Sequence, residues 1–181
     1  AEKRTEFFLQ VAAAMHQCGD SVLHFFWIGE GLERRRVEES LVQLPPSLAG
    51  KIRFPGARLD VADCLAAFDA FVLTSAYEGL PGALLEAMAA GLPCVATNVP
   101  GTRDVLTASC DDEIGLLADA GDPVRFATAL LDLLRDTERM QRMGNNAQRH
   151  VLERYGLQTM VSEFGRVFRS VINENIGGES L

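Results

Sequence analysis

Two hydrophobic periods alternate along the chain. Phe7 to Met15 carries apolar positions at helical spacing, and the short aromatic run Leu23 to Ile28, closed by Gly29-Glu30-Gly31, predicts a buried strand. Leu32 to Leu44 predicts a charged amphipathic helix that Pro45 and Pro46 close. Further strands are predicted at Lys51 to Phe54, Ala70 to Thr74, Pro93 to Thr97 and Ile114 to Ala118. Helices are predicted between them, at Val61 to Ala67, Pro81 to Ala90 and Thr102 to Thr107. After Asp119 only helical patterns follow, at Pro123 to Arg135, Glu138 to Arg154 and Leu157 to Asn175, and the end from Ile176 reads as frayed.

Strands alternating with helices imply an α/β fold, a Rossmann-like parallel sheet with helices on both faces and a helical C-terminal tail. No internal repeat, linker or low-complexity tract divides the chain, so residues 1–181 read as one domain. Its opening is unusual, because α/β units of this kind start with a strand and this chain starts with a helix. The expectation is that it begins inside a longer protein, just after that protein's first strand; a true terminus is the alternative.

Composition narrows the partners. With 181 residues, 48% hydrophobic, the chain can build one core. Its net charge of -8 and pI near 4.9 argue against a nucleic-acid partner held by bulk charge. A phosphate must instead be met locally, by a few cations or a helix N-terminus. Cys18, Cys64, Cys94 and Cys110 form no metal-binding spacing, and three of them lie in apolar surroundings, so they read as reduced structural thiols and favour the cytoplasm. His16, His24 and His150 are scattered, and neither a membrane-spanning run nor a signal peptide is legible.

The chemistry concentrates in Ala76 to Gly91. A strand ends near Thr74 and a helix starts near Pro81, and ligands of parallel α/β sheets collect at the carboxyl ends of strands. Proline suits a first helical position, and the first amides of such a helix would point at an anion. Gly79 and Gly82 let the backbone approach a ligand without a Cβ in the way. Glu86 stands in a helix that reads as apolar all round, which predicts a buried carboxylate. A sugar diol could satisfy it; so could backbone amides or a structural arginine. Glu78, eight residues earlier in the loop, would by itself be an ordinary solvated side chain.

Glu78 and Glu86 together form an E-x7-E pattern, and the run SAYEGLPGALLEAMAAGLPCVATNVPG around them resembles the retaining glycosyltransferases of family 4, which have the GT-B architecture. The resemblance runs from about Lys3 to Tyr155 and makes the chain one half of a GT-B fold, the C-terminal, donor-binding half. It implies that Glu78 contacts the donor sugar's hydroxyls and that Gly79, Leu80, Pro81, Gly82 and Ala83 line the sugar and diphosphate. It implies that Glu86 accepts hydrogen bonds from the nucleotide ribose. Family members grip the diphosphate with a Gly-Arg pair and a following lysine; Lys3 takes the lysine position, and the Gly-Arg pair would precede residue 1. Gly29 is implied near the nucleotide and Arg58 beside the base, where a plain surface arginine is the alternative. Thr97 to Gly101 is a further approach to the cleft, with no single residue singled out. Asp104 stands where relatives often have glutamate.

The arginines of the tail (Arg135, Arg139, Arg142, Arg149, Arg154) alternate with acids and read as a solvated helix face. Leu157 to Val171 could contact a partner domain or be ordinary core. Trp27 to Arg34, WIGEGLER, imitates a dinucleotide fingerprint, but Arg34 stands where the third glycine belongs. The remaining rivals are another GT-B enzyme, such as an epimerase or a phosphorylase-like protein, and a catalytically silent sugar-nucleotide-binding module. The expected reaction transfers sugar from a nucleoside diphosphate, UDP- or GDP-linked, to an acceptor hydroxyl in polysaccharide, lipopolysaccharide or glycolipid synthesis. No paired-aspartate metal motif is visible, so no metal or other cofactor is expected. The acceptor glycan or lipid-linked glycan would be held by an N-terminal domain outside this sequence, with peripheral membrane association through that domain.

Overall fold

A computed structural model describes residues 3–19, 22–30, 34–108 and 112–176. Five strands are present: β1 (Phe25–Ile28), β2 (Ile52–Gly56), β3 (Phe71–Leu73), β4 (Cys94–Thr97) and β5 (Leu116–Ala118). The helices between them are α1 (Thr5–Gln17), α2 (Arg34–Val42), α3 (Pro46–Ala49), α4 (Val61–Ala66), α5 (Gly82–Ala89) and α6 (Pro100–Leu106). Then come α7 (Pro123–Leu134), α8 (Thr137–Arg154) and α9 (Leu157–Ile176). Every predicted element is found, shifted by a residue or two at its described ends; Leu32 and Glu33, where the second helix was expected to start, lie outside the described residues. One turn of helix, α3, was not anticipated: Pro45 and Pro46 close α2 and also open α3, where proline's missing N–H costs nothing. The predicted end from Ile176 falls almost wholly outside the described residues.

Residue alternation along β4 explains the layers. Val95 packs with Phe7, Val11, Phe126 and Leu130 of α1 and α7 on one face. Cys94 and Ala96 point the other way, into Leu84 and Met88 of α5 and Val105 of α6. All four β4 residues are buried, as a strand covered on both faces requires. α8 closes the second layer: an ideal Cβ on Gly144 would lie 2.1 Å from the Gly91 carbonyl oxygen, so only glycine permits this crossing. Asp122 and Asp136 cap α7 and α8 by accepting from backbone amides two or three residues on.

The sheet is divided, which the sequence reading did not foresee. β1 pairs in parallel with β2, and β3, β4 and β5 form a second parallel ladder in that order. No ladder joins β1 to β3 among the described residues, although Phe25 and Val72 pack under the same helix α1. β1 is also less covered than β4: Phe26 is 46% exposed, an unusual state for an aromatic in a parallel strand.

The tail also differs from a core reading. Leu157, Val161, Phe164 and Phe168 of α9 are all exposed, so this apolar stripe is not interior. Arg139 and Arg149 bind Glu113 and Asp112 and so tie α8 to the segment before β5, rather than forming a merely solvated face. No helix among the described residues is long and apolar enough to cross a membrane.

Candidate functional site

β3 delivers the chain to a buried polar corner. Thr74 follows it, and its hydroxyl donates to the Lys3 carbonyl across 3.0 Å, which brings the start of the chain to the carboxyl end of β3. Ser75 is fully buried, and its hydroxyl donates to Glu78 Oε1 at 2.6 Å. Glu78 is only 7% exposed. Its other oxygen has no partner among the described residues and opens outward. Glu78 is therefore not the solvated loop residue that its position alone suggested: the loop folds inward with the Ser75 hydroxyl as a donor to its carboxylate.

The neighbouring strand holds this loop from behind. Thr97 at the end of β4 donates its hydroxyl to the Ser75 carbonyl at 2.6 Å. Thr102 of α6 donates in turn to the Thr97 carbonyl at 2.5 Å. The Gly101 amide donates to the Glu78 carbonyl at 3.2 Å. These four residues were missed by sequence reasoning, which marked Thr97 to Gly101 only as a segment. The available signal was weak: two threonines and a glycine flanking a proline at a strand-to-helix turn.

α5 starts one residue later than predicted, with Pro81 as its N-cap. The Gly82 amide turns back to Leu80, and the Leu84 and Leu85 amides share the Pro81 carbonyl. The Ala83 amide is left as the first-turn donor with no partner among the described residues. Gly79 and Gly82 are exposed, and a Cβ on either would meet no protein atom within 4 Å. The fold itself does not demand glycine at either place.

Glu86 contradicts expectation. It is exposed, and α5 buries only Leu84, Ala87 and Met88. The helix reads as apolar all round because alanine counts as apolar, yet Ala90 is exposed and Ala83 and Ala89 are half-buried without penalty. Glu86 lies one turn beyond Gly82 on the same solvent-facing side.

The remaining predicted residues lie elsewhere. The Lys3 side chain is exposed. Gly29 follows β1 with φ of +134°, which favours glycine, and its amide donates to the Gly56 carbonyl at 2.9 Å. Gly31 lies outside the described residues. Arg58 is an exposed side chain paired with Asp60, Nε to Oδ1 at 2.8 Å, and this hydrogen bond raises the arginine and lowers the aspartate from their ordinary pKa values. Neither joins the Glu78 cluster. Of the cysteines, Cys18 is exposed, Cys64 half-buried and Cys94 buried, with its thiol pKa pushed up by burial. Cys110 lies outside the described residues, and no group of three or more metal-ligating side chains occurs among them.

Comparison with known proteins bears on the family and the fold. The profile of the glycosyl transferases group 1 family matches residues 1–136. N-acetyl-alpha-D-glucosaminyl L-malate synthase of Bacillus anthracis is 30% identical over 152 residues, covering 84% of this chain and 39% of that protein. The lipopolysaccharide core biosynthesis glycosyltransferase LpsE of Rhizobium meliloti is 33% identical over 143 residues, covering 78% of this chain and 38% of that protein. The chain thus spans about two fifths of the length of these curated relatives. Among solved structures, HepE of Anabaena in complex with UDP superposes with a TM-score of 0.79 at 25% identity, over 90% of this chain and 44% of HepE. The fold is that of one part of a GT-B glycosyltransferase. With the profile covering most of its length, the chain belongs to the group 1 glycosyl transferases.

Proposed function

We propose that the chain is the donor-binding half of a retaining family 4 glycosyltransferase, holding a UDP- or GDP-linked sugar for transfer to an acceptor hydroxyl. The observation that carries this reading is Glu78. A carboxylate buried to 7% exposure costs several kcal/mol unless hydrogen-bonded, and Ser75 supplies one bond while the outward oxygen remains for another. A sugar hydroxyl is a donor suited to that oxygen.

Gly79, Leu80, Pro81, Gly82 and Ala83 then line the sugar and diphosphate, with the free Ala83 amide aimed at a phosphate oxygen. Glu86, on the exposed side of α5, takes the ribose diol from the cleft surface rather than from within a core. Lys3, held near the loop through its backbone, and the α5 dipole oppose the charge that develops on the leaving diphosphate. Gly29 borders the nucleotide. Arg58, steadied by Asp60, keeps guanidinium N–H donors free for the base. The reading requires no metal.

Polypeptide preceding residue 1 supplies the acceptor domain and a strand parallel to β3, seated between β1 and β3. Supporting this are the two ladders that end at β1 and β3 under one helix, and the Lys3 carbonyl at the carboxyl end of β3. The setting is polysaccharide, lipopolysaccharide or glycolipid synthesis at the cytoplasmic face of a membrane. Calorimetry of the intact protein against UDP-, GDP- and ADP-sugars, repeated with Glu78→Gln and Glu86→Ala, tests the reading. It fails if no nucleotide sugar binds, or if both variants bind as well as the parent.

A further inference from the structure

We infer that Ser75, Thr97 and Thr102 are positioning residues that aim the Glu78 carboxylate at the donor's sugar. The inference rests on the donor reading and assigns roles to residues outside its binding motif.

Three hydroxyls, each 0% exposed, link α6 to the carboxylate. Thr102 donates to the Thr97 carbonyl and shares its hydroxyl with the Val99 carbonyl at 2.9 Å. Thr97 donates to the Ser75 carbonyl at 2.6 Å, with the Leu73 carbonyl farther off at 3.4 Å, and Ser75 donates to Glu78 Oε1. Thr102 is anchored in α6 and also accepts the Val99 amide at 3.2 Å. The series therefore runs from a packed helix to the carboxylate. The Gly101 amide holds the backbone of the same glutamate from the same side.

A core that needed only packing would be served as well by apolar side chains, because a satisfied buried hydrogen bond contributes little net stability. What the hydroxyls add is direction. Ser75 occupies one carboxylate oxygen and leaves the other outward, so the orientation of Glu78 is set before a ligand arrives. Fixing that rotamer in advance removes an ordering cost from binding.

The test uses the intact protein, with UDP-glucose and GDP-mannose as probes and UDP and GDP as sugar-free controls. Calorimetry compares the parent, Ser75→Ala, Glu78→Ala and the double variant, with circular dichroism to establish folding. Ser75→Ala should weaken the sugar nucleotide on the order of tenfold, the size of a lost hydrogen bond to a charged group. The free nucleotide should change by less than about twofold, and in the Glu78→Ala background Ser75→Ala should add nothing further. If Ser75→Ala does not fold, Thr97→Val tests the same series one step back, with the same pattern expected.

Parallel losses of nucleotide and sugar nucleotide, independent effects in the double variant, or unchanged sugar-nucleotide affinity would each overturn the inference. A parent that binds no UDP-, GDP- or ADP-linked sugar would remove the donor reading itself, and this role with it.

Discussion

A Cβ placed on Gly101 would stand 2.2 Å from the Gly79 carbonyl oxygen and 2.5 Å from that of Glu78. The turn after β4 is thus in contact with the backbone of the candidate sugar loop, and both sides of the contact are main chain. Neither can rotate away as a flexible side chain would. Gly101→Ala should cost about 1–3 kcal/mol, as overpacking does. The displaced loop should also lose affinity for the donor. Urea unfolding beside calorimetry measures both; an alanine variant with parental stability and affinity would show that the contact is slack.

Gly82 gives the opposite expectation. A Cβ there meets nothing within 4 Å and the residue opens α5, so Gly82→Ala should be neutral or stabilising by about 0.4–1 kcal/mol. Donor affinity should nonetheless fall, because the added methyl would occupy the surface assigned to sugar and diphosphate. A variant that melts higher and binds more weakly would separate the demands of ligand from those of fold. Unchanged affinity would place the diphosphate elsewhere.

Gly144→Ala pits propensity against packing. Helix propensity alone favours alanine by about 0.8–1 kcal/mol in the middle of α8. The Cβ, however, would lie 2.1 Å from the Gly91 carbonyl, where α8 crosses the end of α5. Net destabilisation, read as a lower midpoint in denaturant, is expected; a rise would mean that the two helices move apart freely.

His150 sets a pH dependence. Burial first, and the nearby Arg154 second, lower its pKa from the ordinary 6.5, and its Nε2 is buried without a hydrogen-bond partner. The unfolded chain therefore binds a proton more readily than the folded one. This contribution to stability is present above pH 6.5 and is lost as pH falls from there toward the folded-state value. Unfolding free energies measured across that window should slope less steeply for His150→Gln than for the parent. Identical slopes would show that the ring takes up its proton in the folded state without penalty.

Much of this molecule is legible locally. Each strand is a short apolar run and each helix a periodic one, so the order of elements follows from patterns a few residues long. The E-x7-E loop was recognisable for the same reason, since strand end, glycines, proline and helix start are contiguous in the chain. α3 escaped because a proline pair is both a stop and a start, and one turn is too short to show a period.

The two glutamates show where local information ends. From sequence, Glu86 was the buried carboxylate and Glu78 the solvated one; the structure reverses them. Whether an alanine-rich helix buries one face or all of them depends on what packs against it, and α5 is covered only along Leu84, Ala87 and Met88. Whether a loop carboxylate turns inward depends on a donor, and here Ser75 is held by Thr97 from twenty-two residues away. Sequence by itself determined the elements, their order and the position of the candidate site at a strand-to-helix junction. Tertiary structure alone decided which carboxylate is held, what holds it, and that the strands part between β1 and β3, because each of these rests on contacts between segments distant in the chain.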